Sequence, residues 1–169
     1  MKIETISDIP ATADRIFDLL LDENYYKALE KELDKVSRID LFEVEELPDG
    51  RIRRVVRFTA PTELPRFLRS FRDKAPDEVH WQETGIIDRA GRKMEFSIRA
   101  KAPEHWHERY ENQGLLTIAE MRGGKSRITR SIDYSVDVPG LSYIIERALR
   151  GEVKTILTTQ DKQIARQLS

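Results

Sequence analysis

Apolar and polar positions along this chain change period three times, from a brief alternation to a helical spacing, then to a long stretch of alternation, and back to a helical spacing. From Leu141 onward, Leu141, Ile144, Ile145, Ala148, Leu149, Val153, Ile156, Leu157, Ile164 and Leu168 recur at the three-and-four spacing of one helix face. Val138-Pro139-Gly140 breaks the preceding pattern. A stripe of that length needs a sheet to cover. At the other end, Ile3 and Thr5 alternate briefly before Ile9-Pro10. Ile16, Phe17, Leu19, Leu20 and Leu21 then mark an amphipathic helix that Thr12 is placed to cap. Asp22-Glu23-Asn24 ends or bends it, and Tyr25, Tyr26, Leu29 and Leu33 share one face of a second helix.

Between these helices the chain reads as hairpins. Asp49-Gly50, Ala90-Gly91 and Gly123-Gly124 are the turn signals. With two-residue loops, Leu47, Glu45, Glu43 and Leu41 oppose Ile52, Arg54, Val56 and Phe58. Ile87, Gly85, Glu83 and Trp81 oppose Met94, Phe96, Ile98 and Ala100 in the second hairpin. In the third, Ala119, Thr117, Leu115, Gln113 and Glu111 oppose Ile128, Arg130, Ile132, Tyr134 and Val136. Each apolar face is thus interrupted by polar groups, among them Glu43, Glu45, Arg54, Glu83, Glu111, Gln113 and Arg130. Buried charges are normally paired, neutralised or wetted. A polar, water-filled cavity is one explanation. A hairpin offset by one residue, or a sheet splayed toward solvent, is the other. Glu45 opposite Arg54 also reads as an ordinary cross-strand pair.

This order of strand, two helices, six strands and long terminal helix resembles the START-related, polyketide-cyclase-like superfamily (SRPBCC). The local likeness is Ile9-Pro10-Ala11-Thr12-Ala13-Asp14-Arg15-Ile16-Phe17-Asp18-Leu19-Leu20 followed by Asp22-Glu23-Asn24-Tyr25-Tyr26. Val136-Asp137-Val138-Pro139-Gly140 is similar to the corresponding stretch of an uncharacterised bacterial START-like family. The resemblance implies an α+β helix-grip fold: a curved antiparallel sheet of about seven strands around the long C-terminal helix, with two short helices after strand 1, as one domain over residues 1–169. It also implies a hydrophobic ligand cavity between sheet and helix, which relatives use for lipids, sterols, polyketides and plant hormones. Some relatives cyclise polyketides and others bind proteins. The glycine-rich loop of the birch-pollen-allergen branch is replaced by Glu46-Leu47-Pro48-Asp49-Gly50-Arg51, so that branch's ligands are not carried over.

The residues expected to line the cavity are Arg54, Val56, Phe58, Trp81, Glu83, Phe96, Ile98, Glu111, Gln113, Arg130, Ile132 and Tyr134 on the sheet, with Ile144, Ala148 and Gly151, flanked by Thr155, on the helix. The main expectation is non-catalytic binding or carriage of a lipid or other hydrophobic small molecule. No motif assigns a catalytic residue, and no cofactor is expected. A cyclase-like or hydrolase-like enzyme using Glu83, Glu111 and Arg130 is the alternative. A third reading is a protein-interaction module or homodimer using the outer sheet face, with Tyr110, Leu116 and Ile118 exposed.

Composition narrows these readings. The 169 residues carry 29 Lys and Arg against 30 Asp and Glu, which leaves no general electrostatic reason to bind nucleic acid. Cysteine is absent, so disulfides and thiolate chemistry are excluded and the cytoplasm is the expected compartment. No apolar run approaches the roughly 20 residues of a membrane span, and Met1-Lys2-Ile3-Glu4 lacks a signal-peptide core. Gly123-Gly124-Lys125-Ser126 ends like a phosphate loop, but Ala119 replaces the earlier glycine and a strand follows. His105 and His107, with His80, have no spacing that selects a metal site. Arg51, Arg53 and Arg57 alternate onto an outer face. The segment from Leu64 to Lys74, with Phe67, Leu68 and Phe71 among Arg66, Arg69 and Arg72, reads as packed structure or as a basic amphipathic lid, a candidate for peripheral membrane contact through Phe67–Phe71. Gly151 inside the helix implies close packing or a break opening a portal.

Overall fold

A computed structural model describes residues 1–63, 73, 76–101, 110–136, 140 and 142–169; within these, nothing is described of the side chains of 101, 110, 111, 136 and 145. The elements are β1 (Lys2–Ile9), α1 (Ala13–Leu20), α2 (Glu23–Glu32), β2 (Arg38–Glu46), β3 (Ile52–Pro61), β4 (Glu78–Asp88), β5 (Lys93–Lys101), β6 (Tyr110–Met121), β7 (Lys125–Val136) and α3 (Ser142–Leu168). The strands form one curved antiparallel sheet in the order β1-β7-β6-β5-β4-β3-β2. α1 and α2 connect its two edge strands, and α3 packs against β1, β7, α1 and α2. This is the helix-grip arrangement.

The short helices form where the pattern places them, with a different cap. Ile16, Phe17 and Leu20 of α1 and Tyr25, Tyr26 and Leu29 of α2 are buried together in the core. Thr12 occupies the N-cap of α1 but its side chain makes no capping bond, whereas the Asp22 carboxylate accepts from Asn24 N at 2.8 Å at the start of α2. No helix among the described residues is long and apolar enough to cross a membrane.

Register is where the structure corrects the sequence reading. In the β2–β3 hairpin, Gly50 N donates to Leu47 O at 2.9 Å and Leu47 N to Arg51 O at 2.7 Å. Pro48-Asp49-Gly50 is therefore a three-residue loop, with Gly50 left-handed at φ 82°, the turn type that closes on a bulge. The pairing moves by one, so that Arg54 meets Val44 and Glu45 meets Arg53. It slips again at Phe42, after which Val56 meets Leu41 and Phe58 meets Ile39. Glu43 and Glu45 thus leave the inner face and pair with Arg53, at 2.6 and 3.7 Å. Arg57 lies over the exposed Phe42 ring at 3.2 Å. The arginines of this strand's outer face do take up that face.

The β4–β5 pairing follows the expected register throughout, because a four-residue loop from Arg89 to Arg92 has the same index sum as a two-residue one. The β6–β7 hairpin does not. Its loop is Arg122-Gly123-Gly124, with both glycines at positive φ, and Met121 pairs with Lys125. Arg130 therefore meets Leu116, Ile132 meets Gly114 and Tyr134 meets Asn112. Leu116 and Ile118 are buried in the core rather than exposed, so two of the three residues expected on an apolar outer surface are not there, and the side chain of the third, Tyr110, lies outside what is described. After Gly124, Lys125 and Ser126 belong to β7, and Ser126 Oγ donates to Ala11 O at 2.7 Å.

Candidate functional site

The observed registers arrange the inner face in rows that run across strands. One row is Val44, Arg54, Gly85, Phe96, Gly114, Ile132 and Ile3. Beside it run Leu41, Val56, Glu83, Ile98, Asn112 and Tyr134. On its other side are Ile52, Ile87, Met94, Leu116, Arg130 and Thr5. Two missing side chains shape the middle row. The Phe96 ring lies where a Cβ on Gly114 would fall, 2.1 Å from Cζ. At Gly85 a Cβ would lie 2.9 Å from Met94 Sδ and 3.3 Å from Arg54 Nε, so glycine leaves the corridor through which Arg54 crosses the sheet.

Two buried ion pairs stand on this surface. Arg54, 3 % exposed, donates from Nη2 to Glu83 Oε1, from Nη1 to the Tyr26 hydroxyl and from Nε toward Met94 Sδ at 3.2 Å. Tyr26 in turn donates to Leu20 O at 2.7 Å. Burial works against the Arg54 charge, but the attraction of Tyr26 and Glu83 outweighs it and leaves the guanidinium pKa raised. Burial pushes the Tyr26 phenol up to about 12, with Arg54 pulling the other way, and raises Tyr25 as well.

The second pair ties the sheet to α3. Arg130 and Asp161 are each 2 % exposed, with Nε and Oδ1 2.8 Å apart. That contact is ionic but poorly aligned, so neither atom gains a hydrogen bond from it. Arg130 Nη1 donates to Gln160 Oε1 at 2.6 Å, and Ser7 Oγ donates to Asp161 Oδ2 at 2.8 Å. Tyr25 hydroxyl reaches Gln160 O at 3.4 Å.

Arg54, Glu83 and Arg130 are thus where the alternation placed them, on the inner face, but held in two separate pairs. Asp161, Gln160 and Tyr26 complete these pairs and were missed. Tyr25 and Tyr26 were read only as one face of a helix, and Gln160 and Asp161 were not singled out, although they fall in the gap between Leu157 and Ile164 of the apolar stripe. That gap was the available signal, since a carboxylate and an amide there match the arginine opposite.

Val56, Phe58, Phe96, Ile132 and Tyr134 are buried on the inner face, and Trp81 and Ile98 are partly buried beside them. Phe58 and Trp81 stack in parallel, with centroids 5.2 Å apart. Tyr134 hydroxyl donates to Glu146 O of α3 at 2.7 Å. Asn112, absent from the expected set, enters the row through the one-residue shift, and its buried Oδ1 has no hydrogen-bond partner among the described residues. Gln113 leaves it: it opposes Asp133 and is exposed. Glu111 pairs through its backbone with Ser135 rather than Val136.

The helix is rotated from the expected orientation. Ile144, Ala148, Gly151 and Thr155 face solvent, while Leu157, Gln160, Asp161, Ile164 and Leu168 are buried. The Arg130–Asp161 pair accounts for this: turning the all-apolar line inward would leave both charges unpaired. No neighbour lies within 4 Å of a Cβ placed on Gly151, and α3 runs unbroken past it, so neither close packing nor a portal explains this glycine. Two open depressions, of about 230 Å³ by Arg15, Asp18 and Leu168 and about 320 Å³ along the outward face of α3, lie outside the grip. His80 Nδ1 sits 3.0 Å from Thr59 Oγ1; His105, His107 and the segment Phe67–Phe71 lie outside the described residues.

Residues 4–168 match the family described as "Protein of unknown function (DUF2505)", and the chain belongs to that family. No curated protein matches it in sequence. Among solved structures it is similar to the Zhui aromatase/cyclase from a Streptomyces species, at TM-score 0.68 and 14% identity over 99% of this chain and 93% of that one. A START superfamily protein from Mycobacterium smegmatis aligns at TM-score 0.59 and 11% identity over 99% of both chains. Norcoclaurine synthase from Thalictrum flavum, solved with dopamine and hydroxybenzaldehyde, aligns at TM-score 0.58 and 17% identity over 100% of this chain and 88% of that one. The chain therefore has the START/SRPBCC-like fold, and likeness at these identities extends no further than fold.

Proposed function

We propose that this member of a family without an assigned activity binds or carries a lipid or other hydrophobic small molecule, without catalysis, between the first half of α3 and the sheet. One observation carries the reading: the inner face is unevenly filled. Toward the end of α3, Leu157, Ile164 and Leu168 are buried beside the Arg130–Asp161 pair. Toward its start, Leu149 lies on the sheet-facing line of Glu146, Val153 and Gln160 and is still 38 % exposed, and Trp81 and Ile98 are only partly covered. Asn112 Oδ1 lies in the same row as Ile98, buried and without a partner among the described residues. An apolar wall with one unsatisfied acceptor suits an apolar molecule bearing a hydroxyl or N–H donor. The fold is compatible with ligand binding, as the aromatase/cyclase and norcoclaurine synthase on the same fold illustrate.

The acid–base alternative receives less support, since Glu83 is engaged by Arg54 and Arg130 by Asp161. Absence of cysteine favours placing the protein in the cytoplasm. The test is native mass spectrometry of freshly purified protein, followed by titration of a Trp106→Phe variant in which Trp81 is the sole tryptophan. The expected results are a co-purified organic mass and a Trp81 emission change on adding the extracted compound. Asn112→Ala weakens binding by about 5- to 100-fold, the equivalent of one lost hydrogen bond at a buried acceptor. A clean mass spectrum with no emission change across a lipid and aromatic panel would defeat the proposal.

A further inference from the structure

The first half of α3 combines exposed apolar side chains with cations that make no ion pair among the described residues. Tyr143, Arg147, Arg150 and Lys154 follow one another at four, three and four residues, so they form one line along the helix. Ile144, Ala148 and Gly151 run beside it. Tyr143 is 72 % exposed and Ile144 44 %, and the three cations are exposed with no ion pair among the described residues. Of the two acids of this half, Glu152 is held by Lys35 at 2.7 Å, and half-buried Glu146 sits on the sheet-facing line, near the Tyr134 hydroxyl on which Arg150 also acts. A chain of net charge −1 thus presents a local excess of positive charge beside an aromatic and an aliphatic side chain. That combination complements one surface chemistry in particular, an anionic membrane, where cations meet phosphates and apolar side chains enter between headgroups.

We propose that this face of α3 docks on an anionic lipid surface, with Arg147, Arg150 and Lys154 against the headgroups and Tyr143 and Ile144 inserted between them. The docking is read separately from the ligand proposal: all five residues are exposed, and only Arg150 lies near enough to the Tyr134 hydroxyl to act on its titration.

The experiment is co-sedimentation with vesicles of phosphatidylcholine alone and of phosphatidylcholine containing about one-third phosphatidylglycerol. Wild-type protein is expected to pellet with the second and not the first, and to be released when salt is raised from about 0.05 to about 0.5 M. Each of Arg147→Glu, Arg150→Glu and Lys154→Glu lowers the partition coefficient roughly fivefold or more. Tyr143→Ser with Ile144→Ser leaves binding weaker and more salt-sensitive. All five positions are exposed, so the variants keep the wild-type Tm; should charge reversal lower it, the glutamine variants replace them. Equal pelleting with both vesicle types, pelleting unchanged in the variants, or no pelleting at all would overturn the proposal. So would equally tight, salt-sensitive binding to a short DNA duplex, or vesicle-independent self-association abolished by the same substitutions.

Discussion

Gly114 shows how a single side chain's absence is built into the inner face. A methyl there would fall among the atoms of the buried Phe96 ring, so Gly114→Ala forces the ring from its seat. Overpacking of this kind costs typically about 1–3 kcal/mol, and urea denaturation should show that loss against wild type. Arg54 is the more consequential residue, because it serves Glu83, Tyr26 and the Met94 sulfur at once. Arg54→Met leaves the Glu83 carboxylate buried and alone, a loss expected at about 3–5 kcal/mol, whereas Arg54→Met with Glu83→Leu recovers most of it. A double-mutant cycle in urea reads the difference, and equal destabilisation of single and double variants would contradict the pairing. Tyr26 adds a pH signature. Its phenol is raised from 10.0 in the open chain to about 12 in the fold, so above pH 10 the unfolded chain loses its proton first. The stability held below pH 10 therefore falls as pH rises toward 12, by up to about 1.4 kcal/mol per unit for this group. Alkaline denaturation curves should steepen in that window and be shallower in Tyr26→Phe.

At the scale of elements, the apolar stripe of α3 places its second half, where Leu157, Ile164 and Leu168 are buried, but not its first, where Ile144, Ala148 and Leu149 are exposed. Its deepest stretch alternates apolar and polar contacts, Leu157, Gln160, Asp161 and Ile164, because β7 offers an arginine rather than a second apolar wall. Gly151 on the outward face then has no packing role, and Gly151→Ala is expected to stabilise by about 0.5–1 kcal/mol through helix propensity alone. A rise in Tm checks it; a fall would mean an unseen neighbour. The hairpins teach a related lesson. Asp49-Gly50 and Gly123-Gly124 mark turns correctly, yet one extra loop residue in each case moves the partner strand by one position, which exchanges the faces of side chains all along β6 and, in β2, only between the turn and the bulge at Phe42, beyond which Leu41 is back on the inner face. Gln113 and Asn112 trade places for that reason alone.

For the whole molecule, the two ends of the grip differ in how completely they are filled. Hydrogen exchange should distinguish them: amides over 157–168 of α3 open only with global unfolding, whereas those over 146–153 exchange by local opening and gain protection when a ligand is bound. Uniform protection along α3 would remove the uneven filling on which the binding proposal stands. The helix-grip order, the strand parity that turns Arg54, Glu83 and Arg130 inward, and the amphipathic character of all three helices were legible in the chain, since periodicity needs only local geometry. Three things were not: the registers of β2–β3 and β6–β7, the rotation of α3, and the partners of the buried charges. Register depends on loop length and a bulge at Phe42, and a glycine pair specifies a turn without its residue count. Helix rotation depends on what the sheet presents, and Asp161 meets Arg130 only once β7 lies beneath α3. The local pattern thus determined which residues turn toward the interior, and the tertiary contacts decided which of them are spent on one another and which stay only partly covered, because pairing and coverage depend on residues far apart in the chain.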